Sequence, residues 1–277
     1  MEYSVIIPIH NETTLLFPLV EDLRHVFSSL GISDNQYELI FVDRGSNQRT
    51  RESLNEVIAQ FPSISAICLH REVSLSIALS TGFLATLGSN ILTVTGHLKS
   101  DIRGITLKLF ESMKNQLDGV IVEQKGGLHL GLYRRHVLTQ LKTFAQYFEY
   151  LPLMAHHKGF KLHDLNGENV FHWPHWRVAL DCLTLIVVQR FASSPRKLFV
   201  PLGVGLMLLS VFGTSLALFG FGLNIIFLGW AAELILHQTT SNNLDALLRS
   251  EIECVLGNEY AKRKIAYGLA SKMQQAS

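Results

Sequence analysis

Glu38-Leu39-Ile40-Phe41-Val42-Asp43-Arg44-Gly45-Ser46 is an apolar run that stops abruptly at a charged, glycine-containing turn. Leu39 to Val42 is too short a run for a helix, and its β-branched and aromatic character fits a strand covered on both faces, as in a parallel sheet. Ligands of open α/β sheets sit beyond the carboxyl ends of the strands, so the stretch predicts a buried strand that delivers Asp43 to a site. The same carboxylate has a second reading, as the cap of a helix beginning near Thr50.

On the N-terminal side, Tyr3–Ile9 (YSVIIPI) is another strand-like run, followed by the polar His10-Asn11-Glu12-Thr13-Thr14. Leu15, Leu16, Leu19, Val20, Leu23, Val26 and Phe27 then recur at the three- and four-residue spacing of an amphipathic helix, which Gly31 ends. On the C-terminal side the pattern predicts a helix over 50–61 with Leu54, Val57 and Ile58 inward, then a strand over 64–69 and a helix over 74–87. A strand over 90–95, a helix over 104–116 and a strand over 119–122 follow. This alternation is a doubly wound α/β beginning, and right-handed crossovers predict a mostly parallel sheet flanked by helices.

The 277 residues are 48% hydrophobic and only 17% charged, too apolar for an ordinary soluble domain. The excess collects between 198 and 235, where the first charged residue is Glu233 and Gly220-Phe221-Gly222 falls near the middle. A span needs about 20 residues, so the stretch predicts a hairpin of two short membrane helices with a tight turn, or a re-entrant pair. Arg190, Arg196 and Lys197 precede it and Arg249, Lys262, Arg263 and Lys264 follow, which places both ends on the cytoplasmic side. A formal net charge of +1 excludes an argument for nucleic acid. Cys68, Cys182 and Cys254 lie far apart and read as reduced thiols without a disulfide framework. His156-His157, His163 and the run His172-Trp173-Pro174-His175-Trp176 lack a helical zinc spacing with an accompanying acid, so no metal site is assigned. The two indoles mark a membrane interface instead.

Val5-Ile6-Ile7-Pro8-Ile9-His10-Asn11-Glu12, followed about thirty residues later by Phe41-Val42-Asp43-Arg44-Gly45-Ser46, resembles the opening of family 2 glycosyltransferases, in the polyprenyl-phosphate glycosyltransferase branch that includes dolichol-phosphate mannose synthase. Residues 128–137 (LHLGLYRRHV), Gly159-Phe160-Lys161-Leu162, 177–197 and 222–233 resemble later landmarks of that branch. The resemblance implies a glycosyltransferase-A type α/β domain over 1–170, an interfacial amphipathic helix over 171–197, the membrane hairpin over 198–237 and, outside the resemblance, a cytosolic helical tail over 238–277. The tail reading rests on Asn242 or Asn243 as cap and a stripe of Leu244, Leu247, Leu248, Ile252, Val255 and Leu256.

By resemblance, Pro8, His10, Asn11, Glu12 and Asp43 hold the nucleotide, while Arg44 stands where the family has a second acid. The family's Asp-x-Asp, whose carboxylates bind Mg2+ or Mn2+, falls on Thr95-Gly96-His97, a hydroxyl and an imidazole that suit a hard cation poorly. Asp101 reads as a helix cap. Ser74-Leu75-Ser76 lacks the cation of the family's Gly-Lys-Gly-like turn, and Glu123-Gln124-Lys125-Gly126-Gly127 replaces the segment that contacts the acceptor phosphate. No catalytic residue is assigned. The expectation is a membrane-anchored homologue with lost or much reduced transfer, without a cofactor, serving with other membrane protein subunits or as a homo-oligomer on membrane lipid. The alternative is an active transferase from nucleotide sugar to polyprenyl phosphate, with Mg2+ or Mn2+ at a non-standard site.

Overall fold

The computed structural model describes residues 1–61, 63–94, 102–113, 116–124, 128–141, 151–165, 196–213, 216–239 and 252–257. The predicted alternation is present. Strands β1 (Tyr3–Ile9), β2 (Tyr37–Asp43), β3 (Ile64–Leu69), β4 (Asn90–Val94), β5 (Gly119–Gln124), β6 (Leu128–Arg134), β7 (Leu162–Asp164) and β8 (Ile252–Leu256) form one eight-stranded sheet in the order β7-β5-β6-β4-β1-β2-β3-β8. Pairs β4–β1, β1–β2, β2–β3 and β5–β7 are parallel, whereas β4–β6, β5–β6 and β3–β8 are antiparallel. The sheet is therefore mixed, with four of its seven pairs parallel. The short connection between β5 and β6 leaves no room for a crossover helix, so that pair forms an antiparallel hairpin.

Alternation along each strand sends side chains to two cores. On one face Val5, Ile7, Leu39, Phe41 and Ala66 pack with helices α1 (Leu16–Ser29), α2 (Gln48–Gln60) and α4 (Ile102–Ser112). On the other, Ile6, Ile40, Val42 and Ile67 meet α3 (Leu75–Ala85), α5 (Arg135–Leu141) and α6 (Leu151–His157). Every residue of β2 is buried, as a central strand between two helical layers requires.

Two expectations beyond this domain are corrected. The apolar stripe at Ile252, Val255 and Leu256 is not helical. These residues form β8, which pairs antiparallel with β3. Ile252 and Val255 are β-formers, and the open edge of β3 offers unpaired amides and carbonyls that a β-prone segment satisfies. The hairpin turn is also displaced. Helix α7 (Arg196–Gly213) ends before, and helix α8 (Leu216–Thr239) begins ahead of, Gly220 and Gly222, which are inside α8. The second helix is thus the longer, 24 residues against 18.

The chain divides into two compact units, Met1–Val170 with Leu244–Ser277, and Phe171–Asn243. In the second unit a Cβ on Gly222 would lie 2.7 Å from the Gly203 carbonyl oxygen, so the glycines serve the close approach of α7 and α8 rather than a turn. Among the described residues every exposed large hydrophobic except Met1 lies on this pair, including Leu208, Leu209, Phe221, Phe227, Leu228 and Trp230, each roughly 60% exposed. No helix among the described residues is long and apolar enough to cross a membrane. Of the interfacial helix expected over 171–197, residues 171–195, with His172, Trp173, His175, Trp176 and Cys182, lie outside the described residues, as do 240–251 and 258–277, whereas Arg196 and Lys197 begin α7.

Candidate functional site

Parallel strands β1, β2 and β3 end at one edge of the sheet, and the turns that follow them meet there. The two sequence signatures that stand some thirty residues apart form one hydrogen-bonded unit. The Asn11 backbone N–H donates to Ser46 Oγ at 3.0 Å, and Asn11 Oδ1 accepts the Asn47 N–H at 2.9 Å. His10 Nδ1 donates to the Arg44 carbonyl at 3.3 Å, which leaves Nε2 to accept from Asn11 Nδ2 at 3.0 Å. Asn11 takes a left-handed φ of 57°, a conformation that asparagine tolerates better than most side chains.

Gly45 has φ +73°, and a Cβ there would sit 2.4 Å from the Arg71 carbonyl carbon, so the turn after β2 presses directly on the backbone that follows β3. Only glycine satisfies both conditions. Pro8 stands opposite Val42 in the β1–β2 register, and Glu12 is half-buried beside the turn.

Asp43 is fully buried. Its Oδ1 accepts the Ser46 N–H at 2.9 Å and its Oδ2 accepts Arg51 Nε at 3.2 Å. The alternative reading of Asp43 as a helix cap is not met: Asn47 caps α2, accepting the Thr50 N–H at 3.0 Å. Arg51 continues outward, donating through Nη2 to the Leu69 carbonyl at 3.3 Å and to Glu253 Oε2 of β8 at 2.8 Å. The Arg51 hydrogen bond holds the Glu253 carboxyl below its ordinary range. Arg44, at the position of the family's second acid, donates from Nε and Nη2 to the Val73 carbonyl at 2.9 and 2.7 Å. Ser74 caps α3, accepting the Ile77 N–H at 3.3 Å.

Pro8, His10, Asn11, Glu12 and Asp43 are thus gathered at one sheet edge, with Asp43 turned into the fold, Pro8 within β1, Asn11 exposed on the turn, and His10 and Glu12 half-buried beside it. The sequence reading omitted Arg51 and Glu253. Arg51 sits in the first turn of the helix that follows Asp43, a position from which a long side chain reaches back to the strand end; Glu253 lies 202 residues from Arg51 and carries no such signal. Thr95, Gly96, His97, Asp101 and Lys125–Gly127 lie outside the described residues. Among the described residues no group of three His, Cys, Asp or Glu side chains stands where it could hold a metal ion.

Residues 4–160, more than half of the chain and including both hydrogen-bonded turns, match the sequence family described as Glycosyl transferase family 2. The chain belongs to that family. Among its family 2 relatives, the dodecaprenyl-phosphate galacturonate synthase of Rhizobium johnstonii is 22% identical over 252 residues, covering 74% of this chain and 72% of that protein. The undecaprenyl-phosphate 4-deoxy-4-formamido-L-arabinose transferase of Pectobacterium atrosepticum is 23% identical over 271 residues, covering 83% and 79%. Both relatives are polyprenyl-phosphate sugar transferases. A mannosyltransferase of Pyrobaculum calidifontis, solved in complex with GDP-Man and Mn2+, superposes with a TM-score of 0.48 at 15% identity, over 99% of this chain and 86% of that one.

Proposed function

We propose that this chain is a membrane-anchored family 2 homologue with lost or much reduced sugar transfer, acting as a subunit or scaffold of a membrane assembly. Asp43 carries the reading. The acid retained after β2 has no exposed surface, and both of its oxygens are engaged within the protein, by Ser46 and Arg51. A nucleotide at this edge meets His10, Asn11 and Glu12 but not that carboxylate. The donors offered by Thr95 and His97, one hydroxyl and one imidazole, do not fit a hard divalent ion. Without that charge the leaving diphosphate lacks its compensation, a loss of several kcal/mol of barrier lowering.

Membrane attachment through α7 and α8 is supported by their apolar exterior and by the treatment of their polar groups. Asn224 Nδ2 donates to the Gly220 carbonyl at 3.0 Å and Ser210 Oγ to the Met207 carbonyl at 2.6 Å, so each hydrogen-bonds its own helix, as an apolar medium requires. The second reading is an active transferase that moves a sugar from a nucleotide sugar to a polyprenyl phosphate. It draws on the two polyprenyl-phosphate relatives and on the intact Asn11 turn.

The deciding experiment offers purified protein in mild detergent a panel of radiolabelled nucleotide sugars with polyprenyl phosphate. No appreciable transfer is expected, with co-purification of a membrane protein and weak UDP or GDP binding that calorimetry finds unchanged by EDTA. The double substitution Thr95→Asp, His97→Asp is expected to leave transfer absent, because the acceptor-phosphate segment is missing as well. Robust turnover, or tight binding that needs Mn2+, establishes the second reading instead.

A further inference from the structure

Cys68 and Cys254 face each other in the β3–β8 register. Directly opposed residues of an antiparallel pair share a face, with Cα atoms roughly 4.5–5.5 Å apart. That separation lies inside the range of about 4.4–6.8 Å that a disulfide spans. Both thiols are free, Cys68 buried and Cys254 half-buried at the sheet edge. The same cross-sheet row continues through Asp43, which pairs with Cys68, to Ile9, which pairs with Asp43. The two thiols therefore stand beside the Asp43–Arg51–Glu253 chain of ion pairs, on the face that α2 covers.

We propose that Cys68 and Cys254 form a redox-active dithiol, closed to a disulfide by exchange with a small-molecule disulfide of the glutathione type, which ties β8 covalently to the sheet next to Asp43. Cys254, the more accessible, loses its proton to solvent and attacks the small disulfide. One glutathione thiolate leaves, and a mixed disulfide remains on Cys254. Cys68 then loses its proton and attacks the Cys254 sulfur, releasing the second glutathione as a thiolate, and the two expelled thiolates take up through solvent the two protons that Cys254 and Cys68 gave up. Two protein thiols are oxidised and one small disulfide is reduced to two thiols. Burial and the neighbouring Cys254 thiol push the Cys68 thiol up, which fits Cys68 as the second, resolving partner rather than the first attacker. In a reducing compartment such a pair is a sensor rather than a permanent staple.

The test equilibrates the full chain in detergent micelles with reduced and oxidised glutathione over a graded series of ratios, then alkylates with iodoacetamide. Intact mass is expected to show loss of two hydrogens at the oxidising end. Proteolytic mapping should give one linked pair of peptides containing Cys68 and Cys254, with Cys182 alkylated throughout. Amide exchange over 252–256 should slow when the bond closes. Cys68→Ser is expected to stop at a stable glutathione adduct on Cys254, and Cys254→Ser to give no linked pair. Alkylation of both Cys68 and Cys254 across the whole series overturns the proposal, and so does a linkage of either one to Cys182. Because the unmodified chain alone decides between these outcomes, a variant that fails to fold does not blunt the test.

Discussion

At Asp43 the carboxylate has become part of the packing between β2 and α2. It has no exposed surface, whereas the Arg51 side chain that pairs with it is 25% exposed. Truncating Arg51 to alanine leaves a buried anion with only the Ser46 N–H, so Arg51→Ala is expected to destabilise the domain by about 1–3 kcal/mol in chemical denaturation. Asp43→Asn should cost less, because the amide oxygen still accepts from Ser46. A variant Arg51→Ala of unchanged stability would return Asp43 to the list of ligand-facing acids. This arrangement was only half legible in the sequence. The abrupt stop of an apolar run at Asp43 marks a strand end, but whether the side chain points to ligand or to protein depends on α2, and a single strand end carries no record of what its neighbouring helix contributes. The pairing of Asn11 with Ser46 and Asn47 was legible as two separate motifs. Their union follows once β1 and β2 are parallel neighbours in register, because equal strand ends bring equal turns together.

Among the elements, β8 is held to β3 by its ladder and by Glu253 on Arg51. The Glu253 carboxyl is depressed by the Arg51 hydrogen bond, so the folded state binds the proton less readily than the unfolded chain does. Its contribution is therefore present above the usual glutamate range and is lost as the pH falls through the lower, folded value. Hydrogen exchange over 252–256, corrected for the intrinsic rate, should accelerate as the pH falls below the ordinary glutamate range, and Glu253→Gln should remove that pH dependence. The hairpin offers a second check with its own control. Gly222→Ala places a methyl 2.7 Å from the Gly203 carbonyl and should lower the melting temperature in detergent, whereas Gly220→Ala, with nothing within 4 Å, should leave it unchanged or slightly raised. Equal effects at both glycines would contradict the packing of α7 on α8. Helical periodicity announced α1 and the apolar run announced the hairpin, but Ile252, Val255 and Leu256 fit a helical stripe as readily as a strand. The open edge of β3, a tertiary fact, decided between them.

In the whole molecule, two folded units come from an interrupted chain: the sheet is begun by strands within residues 3–164, interrupted by the hairpin and completed by 252–256. If the hairpin enters the membrane from one side and returns, tags at Met1 and Ser277 should be equally accessible to protease in sealed vesicles; protection of one tag alone would mean a single crossing. The return of β8 to β3 already places the chain before and after the hairpin in one domain, which agrees with equal accessibility. It also bears on the order in which the protein is made. During synthesis the edge of β3 emerges early and waits, unpaired, while nearly two hundred further residues, the hairpin among them, leave the ribosome. Through that interval the nascent domain presents a row of open amides and carbonyls to any passing strand. If the hairpin engages the membrane as proposed, that engagement would hold the growing chain apart from its siblings until its own last strand arrives, so anchoring would protect folding as well as setting location.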